Sequence, residues 1–183
     1  MGHDVPSNYQ EDTRMASVQD NLLDWLKDAH AMEQQAESML TAQAERLENY
    51  PDLKQRIQQH IEETKWQQTQ VDEAIRRLGG SPSTFKDMTG KLMAFGQAVA
   101  GSAMSDEVIK GSMSGYVFEN LEIATYTVII TAARAAGDTV TADVCEKILE
   151  QEKAMALWIL EHLGPTTQQF LGRSEHPDLQ AKR

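Results

Sequence analysis

Apolar residues recur along most of the chain at alternating spacings of four and three. That is the period of one helix face, not the period of two that a half-buried strand would show. From Val18 to Asn49 the stripe runs Leu22, Leu26, Ala29, position 33, Ala36, Leu40, position 43 and Leu47. Asn49-Tyr50-Pro51 interrupts it, and Pro51 suits the first turn of a second helix, predicted over about Asp52–Leu78. Its stripe is Leu53, Ile57, positions 60, 64 and 67, Val71, Ala74 and Leu78, and Gly79-Gly80-Ser81-Pro82 closes it. A third helix opens at Ser105-Asp106-Glu107, where the helix dipole favours acids. It carries Val108, Ser112, Gly115, positions 119 and 122, Tyr126, Ile129, Ala133 and Ala136 before Gly137-Asp138. A fourth helix spans Thr139–Leu163 with Thr141, Cys145, Ile148, position 152, Met155 and Ile159 on its stripe. Gly164-Pro165 is expected to end it, with one further helical turn over Thr166–Leu171.

The pattern predicts an all-α fold of four helices, each about 40–48 Å long at 1.5 Å per residue. Short turns join the first to the second and the third to the fourth. The connection over 79–105 is long and holds a short amphipathic piece, Phe85–Ala100, with Phe85, Met88, Leu92 and Phe95 on one face. Two antiparallel hairpins joined by one long crossover make the layout of a ferritin-like four-helix bundle. The bundle is expected over 18–172, with flexible tails at 1–17 and 173–183.

The positions that interrupt the stripes carry the chemistry. They are Glu33 on the first helix, His60 with Glu63, Thr64 and Gln67 on the second, Glu119 and Glu122 on the third, and Glu152 on the fourth. With turns near residues 50 and 137, antiparallel pairing sets all of these carboxylates near mid-bundle. A lone carboxylate in an apolar core costs several kcal/mol unless it is paired or bound to metal. One on every helix at one height points to a shared cation site, with a pair of divalent or trivalent cations as the natural occupant. The competing reading sets these residues on polar helix flanks, since QQHIEET around His60 is polar throughout. His30, Gln67 and Tyr126 lie within a turn of the candidate ligands and are expected to support them rather than bind.

Composition narrows the function classes. The chain has 183 residues, 40% hydrophobic, and 28 acidic against 17 basic residues, for a net charge of −11. Such a surface repels nucleic acid and anionic membranes. No apolar run approaches the roughly 18 residues of a membrane span, and Met1–Ser17 lacks the apolar core of a secretory signal. The one cysteine, Cys145, excludes an internal disulfide and fits a reducing, cytoplasmic setting. It lies on the fourth stripe, where a buried cysteine acts as a small hydrophobe. Phosphate loops, dinucleotide fingerprints and basic stripes are absent.

Four segments, DWLKDAHAMEQQAESML (24–40), NYPDLKQRIQQHIEETK (49–65), SDEVIKGSMSGYVFENLEIATYT (105–127) and EKAMALWIL (152–160), resemble the YciE/YciF ferritin-like stress-protein family. The resemblance covers about 20–178. It implies a bundle related to rubrerythrin and manganese catalase, forming a homodimer linked to stress responses. In that superfamily two helices each supply a Glu and the other two a Glu-x-x-His. Glu33 and Glu119 match the single glutamates, and Glu122 matches the additional third-helix glutamate of rubrerythrin. Glu63 and Glu152 match the glutamates of the paired motifs, but Trp66 and Met155 stand where the histidines would be. His60, three residues before Glu63 rather than three after, offers the nitrogen instead.

The expected function is thus a stress-response protein with a carboxylate-rich Fe or Mn centre that handles peroxide or dioxygen. The alternative is a non-catalytic dimeric stress protein that works through a partner and keeps a vestigial or structural metal site. In that case the face bearing Phe85, Met88, Leu92 and Phe95 would cover the dimer. Iron storage is the weakest reading, because nothing in the chain indicates a cage.

Overall fold

A computed structural model describes residues 16–81, 104–176 and 181. Four helices follow one another: α1 (Val18–Arg46), α2 (Pro51–Arg77), α3 (Glu107–Ala136) and α4 (Thr139–Ser174). No strand occurs among the described residues. The short helix expected over 85–100 and its apolar face lie outside them.

The helix ends follow local chemistry. Ser17 caps α1, its Oγ accepting from the Asp20 amide at 3.1 Å while Asp20 Oδ2 accepts from the Ser17 amide at 2.9 Å. Pro51 opens α2 at its first turn, where a missing N–H costs nothing. Gly79 and Gly137 leave α2 and α3 at φ 79° and 74°, a left-handed conformation that other residues adopt at a cost. Asp138 then caps α4, accepting from the Thr141 amide at 3.0 Å.

One expected boundary fails. α4 does not stop at Gly164-Pro165 but runs through the proline to Ser174. Pro165 deprives only the Glu161 carbonyl of its helical donor, and that stretch is exposed, so water can replace the bond. Beyond it Thr167 Oγ1 donates back to the Leu163 carbonyl within the helix at 2.7 Å, and tertiary contacts hold the rest: Gln169 Nε2 donates to the Asn49 carbonyl at 2.8 Å, and Phe170 packs on the core. Residues 173 and 174 are therefore helix rather than tail, and Tyr50 donates to the Ala181 carbonyl at 2.5 Å.

The helices form a four-sided bundle in which α1 packs on α2 and α3, and α4 packs on α3 and more loosely on α2. Arg46 pairs with Glu107 at one end, and Tyr126 meets Glu33 further along, so α1 and α3 are antiparallel. Gln67 reaches Glu152 while Arg77 reaches Thr141, so α2 and α4 are antiparallel as well. α2 thus ends at one end of the bundle and α3 begins at the other. Two apolar clusters fill the interior. One is built on Leu22, Leu26, Val71, Ile75, Ile129 and Ile148, the other on Leu47, Leu53, Ile57, Val108, Met155 and Ile159. Between them lies a buried polar layer.

Gly137→Ala is expected to cost about 1 kcal/mol, or ~2–4 °C in Tm. A Cβ at that position meets nothing within 4 Å, so thermal unfolding should read backbone strain alone.

Candidate metal centre

The polar layer is assembled from every helix. Glu33 comes from α1, His60, Thr64 and Gln67 from α2, Glu119 and Glu122 from α3, and Glu152 from α4, and all seven are buried. The α2 residues recur at i, i+4 and i+7, which is one face of a helix.

Ligand atoms of His60, Glu119, Glu122 and Glu152 all lie within 4.8 Å of one another. His60 Nε2 stands 3.2 Å from Glu119 Oε2 and 3.3 Å from Glu152 Oε2, shared between the two carboxylates. Its other nitrogen, Nδ1, faces Glu63 Oε2 at 2.7 Å. Gln67 Nε2 donates to Glu152 Oε1 and lies 3.1 Å from Gln151 Oε1. Tyr126 donates to Glu33 Oε1 at 2.5 Å. No N–H or O–H donor reaches either oxygen of Glu122 or the second oxygen of Glu33.

The six expected ligands therefore part company. His60, Glu119, Glu122 and Glu152 converge. Glu33 is buried in the same layer, but one of its oxygens is taken by Tyr126. Glu63 is not brought into the cluster. It lies beyond the imidazole with its side chain 20% exposed, held by Arg56 Nη1 at 3.3 Å and Gln59 Nε2 at 2.9 Å. The reason is register: adjacent residues on a helix point about 100° apart, and the inward face carries Thr64. The inward i, i+3 pair of α2 is thus Thr64 and Gln67, one residue along from the Glu63 and Trp66 match, and Trp66 is 37% exposed. Of the three supporting residues, Gln67 and Tyr126 each hold a carboxylate of the layer. His30 does not; it is buried with Asp72 as its charged neighbour, and burial lowers its pKa. Arg56, Gln59 and Gln151 gave no signal in the sequence beyond the i, i+4 spacing of Gln59 and Glu63.

The electrostatics are those of crowded acids in a dry site. Burial and the Glu152 charge push Glu33 well above the ordinary carboxylate range. Burial, then Glu152, Glu33 and Glu119, do the same to Glu122. Glu119 is pushed up by burial to about 7, with His60 opposing. Glu152 is buried too, yet the hydrogen bond and charge of His60 and the bonds from Glu119 and Glu122 bring it below the ordinary value. At His60 burial works against the charged form, but Glu119, Glu152 and Glu63 outweigh it and raise the pKa well above 6.5. Without a cation, the layer is held together by an imidazolium and by protons kept on the glutamates.

The donor set fits a cation. Three carboxylates and one imidazole converge, the carboxylate of Glu122 meets only the other acids of the layer, and Glu63 can accept the hydrogen bond of Nδ1–H so that the Nε2 lone pair faces the cluster. Cys145 takes no part: it is buried in the apolar cluster and burial raises its thiol to about 12.

A ferritin-like four-helix bundle enclosing a buried carboxylate–histidine cluster is the class of protein that fold and site define. Residues 17–172 match the family model described as "Domain of unknown function (DUF892)", and the chain belongs to that family. A crystal structure of a protein from Xanthomonas campestris is similar to it at 42% identity, covering 86% of this chain and 98% of that one, with a TM-score of 0.75. The E. coli stress protein YciF is similar at 25% identity, covering 81% and 96%, with a TM-score of 0.70. The bacterioferritin of Desulfovibrio desulfuricans, whose structure describes a diiron site, shares the fold at 24% identity, covering 82% of each chain, with a TM-score of 0.68.

Glu122→Gln should stabilise the metal-free protein in a pH-dependent way. A carboxyl whose pKa is higher folded than unfolded adds stability below about pH 4.5, and that contribution is lost as pH rises through the folded value. Glutamine carries no proton to lose. Thermal melts should therefore show no gain at pH 4.5 and a gain of ~5 °C, about 2 kcal/mol, at pH 8.

Proposed function

We propose that this chain is a stress-response metalloprotein whose mid-bundle cluster binds iron or manganese and handles peroxide or dioxygen. The carrying observation is the convergence of His60, Glu119, Glu122 and Glu152 within a buried layer. The likeness to the E. coli stress protein YciF supports the stress role. When bound, the metal supplies a Lewis-acidic and redox-active centre; the chain's own residues supply its setting. Glu119, Glu122, Glu152 and His60 hold the first ion. Glu33 and Glu152 are the carboxylates available to a second, with Tyr126 and Gln67 fixing their orientation. Glu63 holds His60 in the tautomer that presents Nε2. The apolar clusters above and below the layer exclude bulk water. A second ion would be held more weakly than the first, because α2 contributes only neutral Thr64 and Gln67 beside Glu33 and Glu152.

A non-catalytic role is the second reading. It is favoured by Thr64, Gln67 and Met155, which are buried in the layer or beside it and offer no strong metal ligand. In either case we infer a homodimer, supported by exposed Val18, Trp25 and Val128 side by side on the outer α1–α3 face. A cytoplasmic location is supported by the free, buried Cys145.

Elemental analysis and calorimetry test the proposal. Ferrous or manganous ion should bind in two steps of unequal affinity and raise Tm. Binding should release protons and weaken as pH falls, because His60 and the raised carboxyls must give theirs up. Glu122→Gln/Glu152→Gln should abolish the tighter step. Absence of binding in the parent after incubation with either metal would overturn the metal reading. Binding without any reaction towards peroxide or dioxygen would favour the non-catalytic one.

A further inference from the structure

An apolar groove runs between α1 and α3 and ends on the cluster. At its outer end lies the Arg46–Glu107 ion pair; at its inner end lies Glu119, 2% exposed. From 107 to 119 along a helix is roughly 18 Å, so the groove leads from the bundle end to the polar layer. Its walls are apolar, chiefly Met39, Leu40, Val108 and Phe118, and it encloses a cavity of about 60 Å³. A water needs about 10–15 Å³ on this measure, so the space holds a few waters or one small molecule.

The lining of the groove includes two glycines of α3, Gly111 facing Gln43 of α1 and Gly115 whose Cβ would meet only Ile159 of α4 at 3.5 Å. A Cβ at Gly111 would stand 2.9 Å from Gln43 Nε2, so any side chain there must displace Gln43 or fill the passage. Two glycines inside a helix cost about 1 kcal/mol each relative to alanine. The link to the cluster is Glu119, whose buried carboxylate both lines the groove and stands 3.2 Å from His60 Nε2 within the cluster.

We propose that this groove is the route by which a small neutral molecule, of the class of dioxygen or hydrogen peroxide, reaches the cluster. The chemistry selects such a molecule. Apolar walls would strip an ion of its hydration, and the Glu119 carboxylate at the inner end disfavours anions. The volume excludes anything much larger. The proposal rests on the metal reading, since only a loaded cluster would use the delivered molecule.

Two measurements decide it. Crystals of the metal-free parent pressurised with xenon, an apolar probe, should show xenon between α1 and α3 beside Gly111. Gly111→Leu should abolish that site. In ferrous-loaded protein, stopped-flow oxidation of bound iron by hydrogen peroxide should slow about tenfold or more in Gly111→Leu, with iron content unchanged. Ala42→Phe, a half-buried groove position, repeats the block if Gly111→Leu folds poorly. Xenon absent from the parent groove, or an unchanged rate with the groove filled, would overturn the route. Should the parent hold no iron, the metal reading falls, and the xenon result alone decides whether the groove admits small neutral molecules.

Discussion

Glu33, Glu119, Glu122 and Glu152 share one dry layer with His60, and keeping these charges out of water is the constraint that shapes the rest of the bundle. Ionised together and unpaired, they would cost far more than the net stability of a domain of this size. The metal-free protein meets that cost with protons, an imidazolium between two carboxylates, and donors from Tyr126 and Gln67. Each of these offsets negative charge in the layer. A core optimised for stability alone would have apolar residues here, as α1, α2 and α4 do one turn away at Ala29, Ala36, Ile57, Ile148 and Met155.

The residues around the layer divide the work between holding and tuning. Tyr126 of α3 fixes Glu33 of α1 and Gln67 of α2 fixes Glu152 of α4, while Glu63 acts from the far side of the imidazole and is itself anchored by Arg56 and Gln59. The result is an asymmetric centre. The α3–α4 side is rich in carboxylate, and the α2 side presents His60 and two neutral residues. Asymmetry of this kind makes the two halves of a metal site unequal in affinity and in open positions. It also separates this chain's donor set from the paired Glu-x-x-His motifs of di-iron carboxylate bundles.

Much of this was legible in the sequence because helical periodicity is a local property. The four-three spacing of Leu22, Leu26, Ala29 and their counterparts marked four helices. The glutamates and His60 that broke the stripes marked the polar layer. Pro51, Gly79 and Gly137 marked the turns, since their backbone preferences act wherever they stand. Pro165 misled for the complementary reason. Its local cost is real, but Phe170 and Gln169 gain tertiary contacts that carry α4 past it.

What the chain determined by itself was the set of helices, their inward faces, and the presence of charge on those faces at one height. Only the tertiary structure decided which of those charges meet. A stripe drawn on a sequence has a tolerance of about one residue, and one residue is about 100° of rotation. That rotation places Thr64 inside and Glu63 outside and makes Glu63, a candidate ligand by sequence, the partner of His60 Nδ1, while packing commits Glu33 to Tyr126, 93 residues away along the chain. The groove to Glu119 has the same origin, because a passage between α1 and α3 exists only once two helices distant in sequence have packed side by side.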